Sequence, residues 1–337
     1  MNMILSRHLF LIIPLIFSAF SCKETSKNSL PHIVYILADD LGYGDVSSYN
    51  PGCAWETPSI DRIATEGVRF TDAHSGSSVC SPTRYGVLTG RYSWRTRLKK
   101  GVLWSWDPPL IGEDEFTVAR LLLDEGYHTA CIGKWHLGLG WQFLDPENDS
   151  VDYSRPVTGG PLTAGFDHFF GITASLDIPP YVYVQDDRST TVPTRFTEDT
   201  SRMGWWRKGL TGDDFRHEEV LQLLTKKAVE YIDKRCRLDQ ETPFFLYFPL
   251  TAPHTPILPT GEFRGKSGTN PYGDFVLQVD HTVGRILDAL DRNGIAGKTL
   301  VIFTSDNGCS PYADFEELAG FGHDPSAGFR GHKADIF

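Results

Sequence analysis

Long apolar runs are missing from this sequence of 337 residues. Its longest apolar segment, Leu9–Phe20, has twelve residues, whereas a helix that spans a bilayer needs about 20. A basic excess is missing as well, because 32 lysines and arginines face 43 acidic residues and leave a net charge of −11. This balance argues against a nucleic-acid binder, which would carry a basic patch. No nucleic-acid partner is therefore predicted.

Cysteine is scarce, with six residues and no CxxC pair. This spacing excludes a zinc module and a dense disulfide framework. If the chain is exported and cleaved before Cys22, five cysteines follow Cys22. Because five is an odd number, at least one of them is unpaired or chemically special. These five are Cys53, Cys80, Cys131, Cys236 and Cys309.

The first residues carry an export signature. Arg7 precedes the short apolar segment, and small residues lead to Cys22 and a polar stretch. This order is typical of a secretory signal, with an uncleaved anchor helix as the alternative. Cys22 stands where a bacterial lipoprotein signal places its lipidated cysteine. We predict a signal peptide at 1–21, of the lipoprotein type if Cys22 is lipidated, and a polar tether at 22–31. The protein is then expected in the periplasm or at the cell surface, with a lipid on Cys22 as its only membrane contact.

Strand-like and helix-like segments alternate after the tether. Strands are predicted at 32–38, 127–132, 243–250 and 298–305, and helices at 57–67, 116–126, 217–236 and 273–293. This alternation indicates an α/β fold with a large, mostly parallel central sheet flanked by helices. Residues 141–216 show no clear periodicity and many aromatics, which predicts a long insertion near a binding cleft.

Two predicted strands end in a polar pair. Asp39 and Asp40 follow the first strand, and Asp306 and Asn307 follow the last. Ligands of open α/β sheets bind beyond the carboxyl ends of the strands, and oxygen ligands suit a hard cation such as Ca²⁺ or Mg²⁺. Either pair alone is as consistent with the capping of a turn. Together they favour a metal site.

The segment at 75–91, SGSSVCSPTRYGVLTGR, is the most informative one. Small residues lead to Cys80, and a helix-like stretch ends at Gly90. A cysteine at a helix N-terminus beside Arg84 is predicted to have a lowered pKa. A cysteine-based phosphatase would need an arginine six positions after Cys80, where Gly86 stands.

The same segment matches the sulfatase signature C-x-P-x-R followed by T-G-R, at 80–84 and 89–91. A second family signature matches GYHTACIGKWHLG at 126–138. From about residue 32 to 337, the chain resembles the type I, formylglycine-dependent sulfatases, the arylsulfatase-like family of the alkaline phosphatase superfamily. The resemblance implies an alkaline-phosphatase-like fold. It also implies a smaller C-terminal α+β subdomain that is missing here, so that 32–337 would be an incomplete catalytic domain.

The resemblance further implies the chemistry of the site. Cys80 would be converted to formylglycine by a formylglycine-generating or radical maturation enzyme, and the hydrated aldehyde would be the nucleophile. Ca²⁺, or alternatively Mg²⁺, would be held by Asp39, Asp40, Asp306, Asn307 and the modified Cys80. The remaining catalytic positions would be Arg84, Lys134, His136, His254 and Lys333. Of these, His254 or Lys333 would protonate the leaving alcohol, and His136 would act as a base.

Aromatic residues suggest the substrate. Residues 161–184 and Trp205–Trp206 are rich in rings that can stack on sugars. The segments GFDHFFG and SLDIPPYVYV resemble bacterial glycan sulfatases similar to N-acetylgalactosamine-6-sulfatases. We therefore expect hydrolysis of sulfate esters on a sulfated carbohydrate. Two alternatives stay open: a phosphodiesterase or phosphonate monoester hydrolase of the same superfamily, and a non-catalytic surface glycan-binding lipoprotein.

Overall fold

The computed structural model describes residues 30–145, 147 and 150–335. The predicted signal peptide, the predicted lipidation site at Cys22 and most of the predicted tether lie outside the described residues. The strands are β1 His32–Asp39, β2 His128–Lys134, β3 Phe143–Asp145, β4 Ser150–Val151, β5 His168–Ile172, β6 Tyr183–Gln185, β7 Arg188–Ser189, β8 Arg195–Asp199, β9 Trp206–Thr211, β10 Phe244–Pro253 and β11 Thr299–Ser305. The α-helices are α1 Pro58–Glu66, α2 Cys80–Thr89, α3 Val118–Asp124, α4 Val220–Leu238, α5 Pro271–Arg292 and α6 Phe315–Gly320.

A seven-stranded sheet runs in the order β11-β1-β10-β2-β5-β6-β7. The first five of these strands pair in parallel, and β6 and β7 continue the sheet in antiparallel fashion. The predicted α/β class with a mostly parallel sheet is confirmed. All four predicted strands and all four predicted helices are present, with boundaries shifted by a few residues.

The sheet is covered on both faces. Alternating β1 side chains divide between two apolar cores, since Val34, Ile36 and Ala38 join one core and Leu37 joins the other. The first core packs α1, α4 and α5 against the sheet, and the second packs α2 and α3. Every residue of the central strand β10 is buried, as expected of a strand enclosed by helices on both sides.

The segment 141–216, predicted as a long insertion, is partly built into the main sheet. The segment contains seven short strands, and three of them, β5 to β7, extend the main sheet. Four of these seven strands have only two or three residues, which is too short for the alternation over four to eight residues that indicates a strand. Within the part of the chain that the structure describes, no helix is long and apolar enough to cross a membrane.

His217 is enclosed by aromatic rings just before α4. Its ring stacks on Trp206 with centroids 3.9 Å apart, and its edge meets Tyr181 at 4.4 Å. Its Nε2 atom is buried without a hydrogen-bond partner among the described residues. Burial, followed by the charge of Arg195, lowers the pKa of His217 to about 3.

We expect acid to destabilise the fold through His217. Below the ordinary pKa of 6.5, His217 is protonated in the unfolded chain but stays neutral in the folded chain. The free energy of unfolding therefore decreases as the pH falls from 6.5 towards 3. One such group gives a slope of up to about 1.4 kcal/mol per pH unit. The free energy of unfolding, measured with urea at several pH values in this range, should depend less steeply on pH in His217→Phe than in the wild type. His74→Phe, at an exposed position, should keep the wild-type slope, and equal slopes for all three proteins would contradict the prediction.

Candidate functional site

The predicted site residues meet at the carboxyl ends of the parallel strands. Asp39 ends β1, Lys134 ends β2, His254 follows β10 and Asp306 follows β11. Helix α2 supplies Cys80 and Arg84, and the described C-terminal segment supplies Lys333 (19% exposed). The other predicted positions are each at most 7% exposed. The structure therefore gathers every predicted site residue at one edge of the sheet.

Asp39 is the centre of the charge arrangement. Its carboxylate lies 2.6 Å from Lys134 Nζ and 3.5 Å from Arg84 Nη2, which also donates to Asp306 at 2.8 Å. Burial alone would raise the pKa of Asp39, but the charge of Lys134 and those of its other basic neighbours hold it well below its usual range. Burial and repulsion by Asp39 raise the pKa of Asp306. The two carboxylates are thus held together by buried cations.

Asp40 joins the ends of β1 and β11. Its main-chain N–H donates to Asp306 Oδ1 at 3.1 Å, and its Oδ1 accepts from Asn307 Nδ2 at 2.7 Å. Its Oδ2 lies 2.7 Å from Lys333 Nζ and 3.6 Å from His254 Nε2. The backbone of Asp40 has a φ of 65°, a conformation that non-glycine residues rarely adopt and that often marks a functional position.

Cys80 opens α2, and its Sγ lies 3.6 Å from Asp39 Oδ1. The residue is 2% exposed. The predicted lowering of its pKa was wrong: burial outweighs the charges of Lys134 and Lys333 and raises the pKa of the thiol to about 12. An unmodified Cys80 therefore stays protonated near neutral pH and is a poor nucleophile, because the thiolate is the reactive form.

The environment of the two histidines at the site, His136 and His254, favours their neutral form. His136 Nε2 donates to the Leu103 carbonyl at 2.8 Å, while its Nδ1 is buried and unpartnered within the described chain. His254 Nδ1 contacts the Thr255 carbonyl, and its Nε2 is turned towards Asp40. Burial lowers the pKa of both rings, with Lys134 as the next cause at His136 and Lys333 at His254. Each ring therefore has one nitrogen fixed by a carbonyl and one available for proton transfer.

The donor set fits a hard divalent cation. Ligand atoms of Asp39, Asp40, Cys80 and His254 all lie within 4.8 Å of one another. Asn307 Oδ1 is buried without a hydrogen-bond partner in the described residues, and such a group commonly has a ligand to satisfy it. Carboxylate and amide oxygens are typical ligands of Ca²⁺ and Mg²⁺. The sequence had not grouped His254 with the metal ligands.

Sequence reasoning missed a buried support behind Asp40. Tyr272 donates to the Asp40 carbonyl at 3.2 Å and contacts the Asp45 carboxylate. Asp45 in turn lies 2.8 Å from His323 Nε2, and His323 packs on Trp55 with ring centroids 4.0 Å apart. A usable signal was present: an asparagine followed by a proline before residue 272 is a helix start. It would have placed Tyr272 in the first turn of α5.

A second group that the sequence did not reveal lies around His136. Thr173 accepts from the main-chain N–H of His136 at 3.0 Å and donates from its side chain to Ser105 Oγ at 3.1 Å. The main-chain N–H of Leu103 donates to Ser81 Oγ, in α2, at 3.1 Å. The loop at 103–107 is therefore fixed to both the Cys80 helix and His136.

A mostly parallel sheet with carboxylates, buried cations and a helix-opening cysteine at its strand ends defines the alkaline-phosphatase-like α/β class. The family profile described as Sulfatase matches residues 31–335. An N-acetylgalactosamine-6-O-sulfatase of Bacteroides thetaiotaomicron is 34% identical over 94% of this chain, and human arylsulfatase H is 32% identical over 84%. A solved structure from work on glycosaminoglycan metabolism in B. thetaiotaomicron superposes with a TM-score of 0.78 at 32% identity, covering 90% of this chain and 69% of that one.

The chain belongs to the sulfatase family. The predicted family and the alkaline-phosphatase-like fold are confirmed by these comparisons. The chain spans 67% of the length of the bacterial relative and 58% of the human one.

Proposed function

We propose that the protein hydrolyses sulfate esters on a sulfated glycan, with Cys80 converted to formylglycine and a divalent cation, Ca²⁺ or alternatively Mg²⁺, bound at the strand ends. The observation that carries the proposal is the position of Cys80: its thiol is buried 3.6 Å from the Asp39 carboxylate, which also pairs with Arg84 and Lys134. When present, formylglycine supplies a hydrated aldehyde as nucleophile, and the metal supplies positive charge beside it. Asp39, Asp40, Asp306 and Asn307 would hold the metal.

The buried cations suit a sulfate ester. Such an ester carries one negative charge, and more charge develops on the leaving oxygen in the transition state. Preorganised donors in a site without water stabilise that charge strongly. Lys134 and Lys333 each already meet a carboxylate at 2.6–2.7 Å, so they are fixed before substrate binds. Arg84, which is fully buried, positions the carboxylates rather than contacting solvent.

The histidines suit the two proton transfers of ester hydrolysis. Lys333, or His254 once it has taken up a proton at Nε2, would donate to the departing sugar alcohol. His136 would accept a proton at Nδ1, the buried nitrogen that has no partner among the described side chains and backbone. Its other nitrogen is fixed on Leu103, so the ring keeps one orientation during the reaction.

The burial of Cys80 implies that its modification would precede folding of the surrounding segment. Since Cys80 is 2% exposed, a maturation enzyme would reach it only before the segment at 75–91 folds. Export to the periplasm or cell surface, with a lipid on Cys22, remains part of the proposal. The tryptic peptide Phe70–Arg84 reports the modification by mass. The mass change of thiol-to-aldehyde conversion in active protein would support the mechanism, and an intact thiol in active protein would exclude it.

The substrate proposal draws on the relatives. The bacterial relative is named for N-acetylgalactosamine 6-O-sulfate, and we propose a similar sulfated sugar for this chain. The test is hydrolysis of N-acetylgalactosamine 6-sulfate and an aryl sulfate, compared with an aryl phosphodiester and a phosphonate monoester. Faster turnover of the sulfates would support the proposal. Preference for the phosphorus esters would favour a phosphonate monoester hydrolase, and glycan binding without turnover would favour a binding lipoprotein.

Removal of the metal is expected to abolish turnover and to lower the melting temperature. Without the cation, the carboxylates of Asp39, Asp40 and Asp306 repel one another and the transition-state charge loses a partner. Dialysis against a chelator, followed by titration with Ca²⁺ or Mg²⁺, should remove and then restore both properties. A chelated protein with unchanged activity and melting temperature would contradict the metal site.

A further inference from the structure

Two tryptophans and one arginine stack beside the site and have no role in the proposed chemistry. The Arg207 guanidinium lies 5.3 Å from the ring centroid of Trp104 and 4.9 Å from that of Trp205. A cation between two aromatic faces is attracted to both rings. Trp104 is 48% exposed and the side chain of Arg207 is 42% exposed. The Trp104 side chain and the Arg207 side chain are therefore both partly open to solvent.

Arg207 is held in one orientation by buried partners. Its Nη1 donates to the Asp177 carbonyl at 3.1 Å and also contacts the Asp177 carboxylate. Tyr181, which is 1% exposed, donates to the Arg207 carbonyl at 2.6 Å. No described residue accepts a hydrogen bond from Nε or Nη2 of Arg207. These two atoms form a planar fork, which fits two oxygens of a carboxylate or a sulfate group.

Neighbouring residues connect the stack to the catalytic site. Trp104 directly follows Leu103 in the sequence, and the carbonyl of Leu103 accepts a hydrogen bond from His136 at 2.8 Å. At the other end, the Trp205 ring lies 5.4 Å from that of Tyr312, on the loop that follows the predicted metal ligand Asn307. The Nε1 atom of Trp205 is buried and has no hydrogen-bond partner in the described chain.

We propose that Trp104, Arg207 and Trp205 form a subsite for an acidic sugar residue joined to the sugar that carries the scissile sulfate. This inference rests on the proposed function. The exposed face of Trp104 stacks on the sugar ring. The Arg207 fork binds an anionic substituent of that sugar, the carboxylate of a uronate or a second sulfate. The protein therefore prefers an oligosaccharide to a sulfated monosaccharide.

The test measures affinity in the absence of turnover. In a Cys80→Ala background, isothermal titration calorimetry compares N-acetylgalactosamine 6-sulfate with a disaccharide in which the same sugar is joined to a uronate. The disaccharide should bind at least about tenfold more tightly, as one charge-assisted bidentate contact suggests. Trp104→Ala and Arg207→Met should each reduce that preference to below about threefold. A disaccharide with its carboxyl reduced, and one with a second sulfate, identify which anion Arg207 binds.

Matched controls separate the subsite from general effects. Trp94→Ala changes a similarly exposed tryptophan, and Arg155→Met changes another exposed arginine paired with an aspartate; both should keep the disaccharide preference. Trp104→Tyr retains a ring and should restore it, which excludes misfolding as the cause in Trp104→Ala. An equal affinity of the Cys80→Ala protein for monosaccharide and disaccharide would overturn the subsite.

The two proposals can fail separately. Turnover of sulfate esters by the wild-type protein, with no disaccharide preference in the Cys80→Ala protein, would leave the proposed function intact and overturn the subsite. Binding of an unsulfated uronate disaccharide that depends on Trp104, in a protein that hydrolyses no sulfate ester, would support the subsite and overturn the proposed function.

Discussion

Replacement of Cys80 by alanine is expected to lower kcat for sulfate esters by about 10⁴-fold or more, the scale found when a catalytic nucleophile is removed. The alanine methyl offers no group that can be oxidised to an aldehyde. Cys80→Ser should be similarly impaired, because an unmodified serine provides a single hydroxyl. The measurement is release of inorganic sulfate from an aryl sulfate by protein produced together with the maturation enzyme.

The structure offers a control for this experiment. Cys236 is also a buried free cysteine, but it lies near the C-terminal end of α4, far along the chain from the predicted ligands. Cys236→Ala should keep kcat within about threefold of wild type, as expected for a substitution that leaves the reacting groups in place. Activity of Cys80→Ala above about one hundredth of wild type would mean that another residue supplies the nucleophile.

Replacement of Arg84 by methionine is expected to cost about 3–5 kcal/mol of the free energy of unfolding, measured with urea in the presence of a chelator. The cost arises because two buried carboxylates, Asp39 and Asp306, lose the guanidinium that lies between them at 3.5 and 2.8 Å. Arg84 also donates to the Lys134 carbonyl at 3.0 Å, so a buried acceptor is left open. Adding Asp306→Asn should recover part of the loss, since it removes one of the unpaired charges.

Arg62 provides the comparison for Arg84. It also pairs with two carboxylates, those of Glu66 and Asp291, at 2.9 and 2.7 Å, but its side chain is 35% exposed. Arg62→Met should cost at most about 1 kcal/mol, because solvent screens such pairs. If the two methionine variants lost equal stability, burial would not be what makes the Arg84 pairs strong.

Those parts of the site that depend on local sequence were predictable. A buried apolar strand followed directly by acids places carboxylates at the carboxyl end of a sheet, and this identified Asp39 and Asp306. The glycine at position 90 was expected to end the helix, and α2 does end there with a φ of 67° at Gly90. Each inference needed only a few neighbouring residues.

Properties that depend on distant contacts were not predictable. The thiol pKa of Cys80 is set by burial, and the local motif alone gave the wrong direction. The support of Asp40 by Tyr272 joins residues more than 200 positions apart. His136, like Asp40, has a positive φ, of 56°; histidine and aspartate are enriched in this conformation, but most of them do not adopt it, so the residue type alone does not locate it. Of the short strands in residues 141–216, β5 owes its parallel pairing to β2 of the main sheet, which residues outside this segment build.

The pairing of β1 with β11 affects when the site can form during synthesis of the chain. The predicted metal ligands lie at the ends of β1 and β11, the first and last strands of the described sheet, so the proposed site has no complete form until the ribosome has passed Lys333. Cys80 is synthesised about 250 residues earlier, and at about 5–20 residues per second this leaves roughly 10–50 seconds. During that interval the cysteine has been made, but β11 and Asp306, which pairs with Arg84 on the helix of Cys80, have not. If Cys80 is converted to formylglycine as proposed, the speed of translation, and any pause between the two points, would govern how much of the protein is converted.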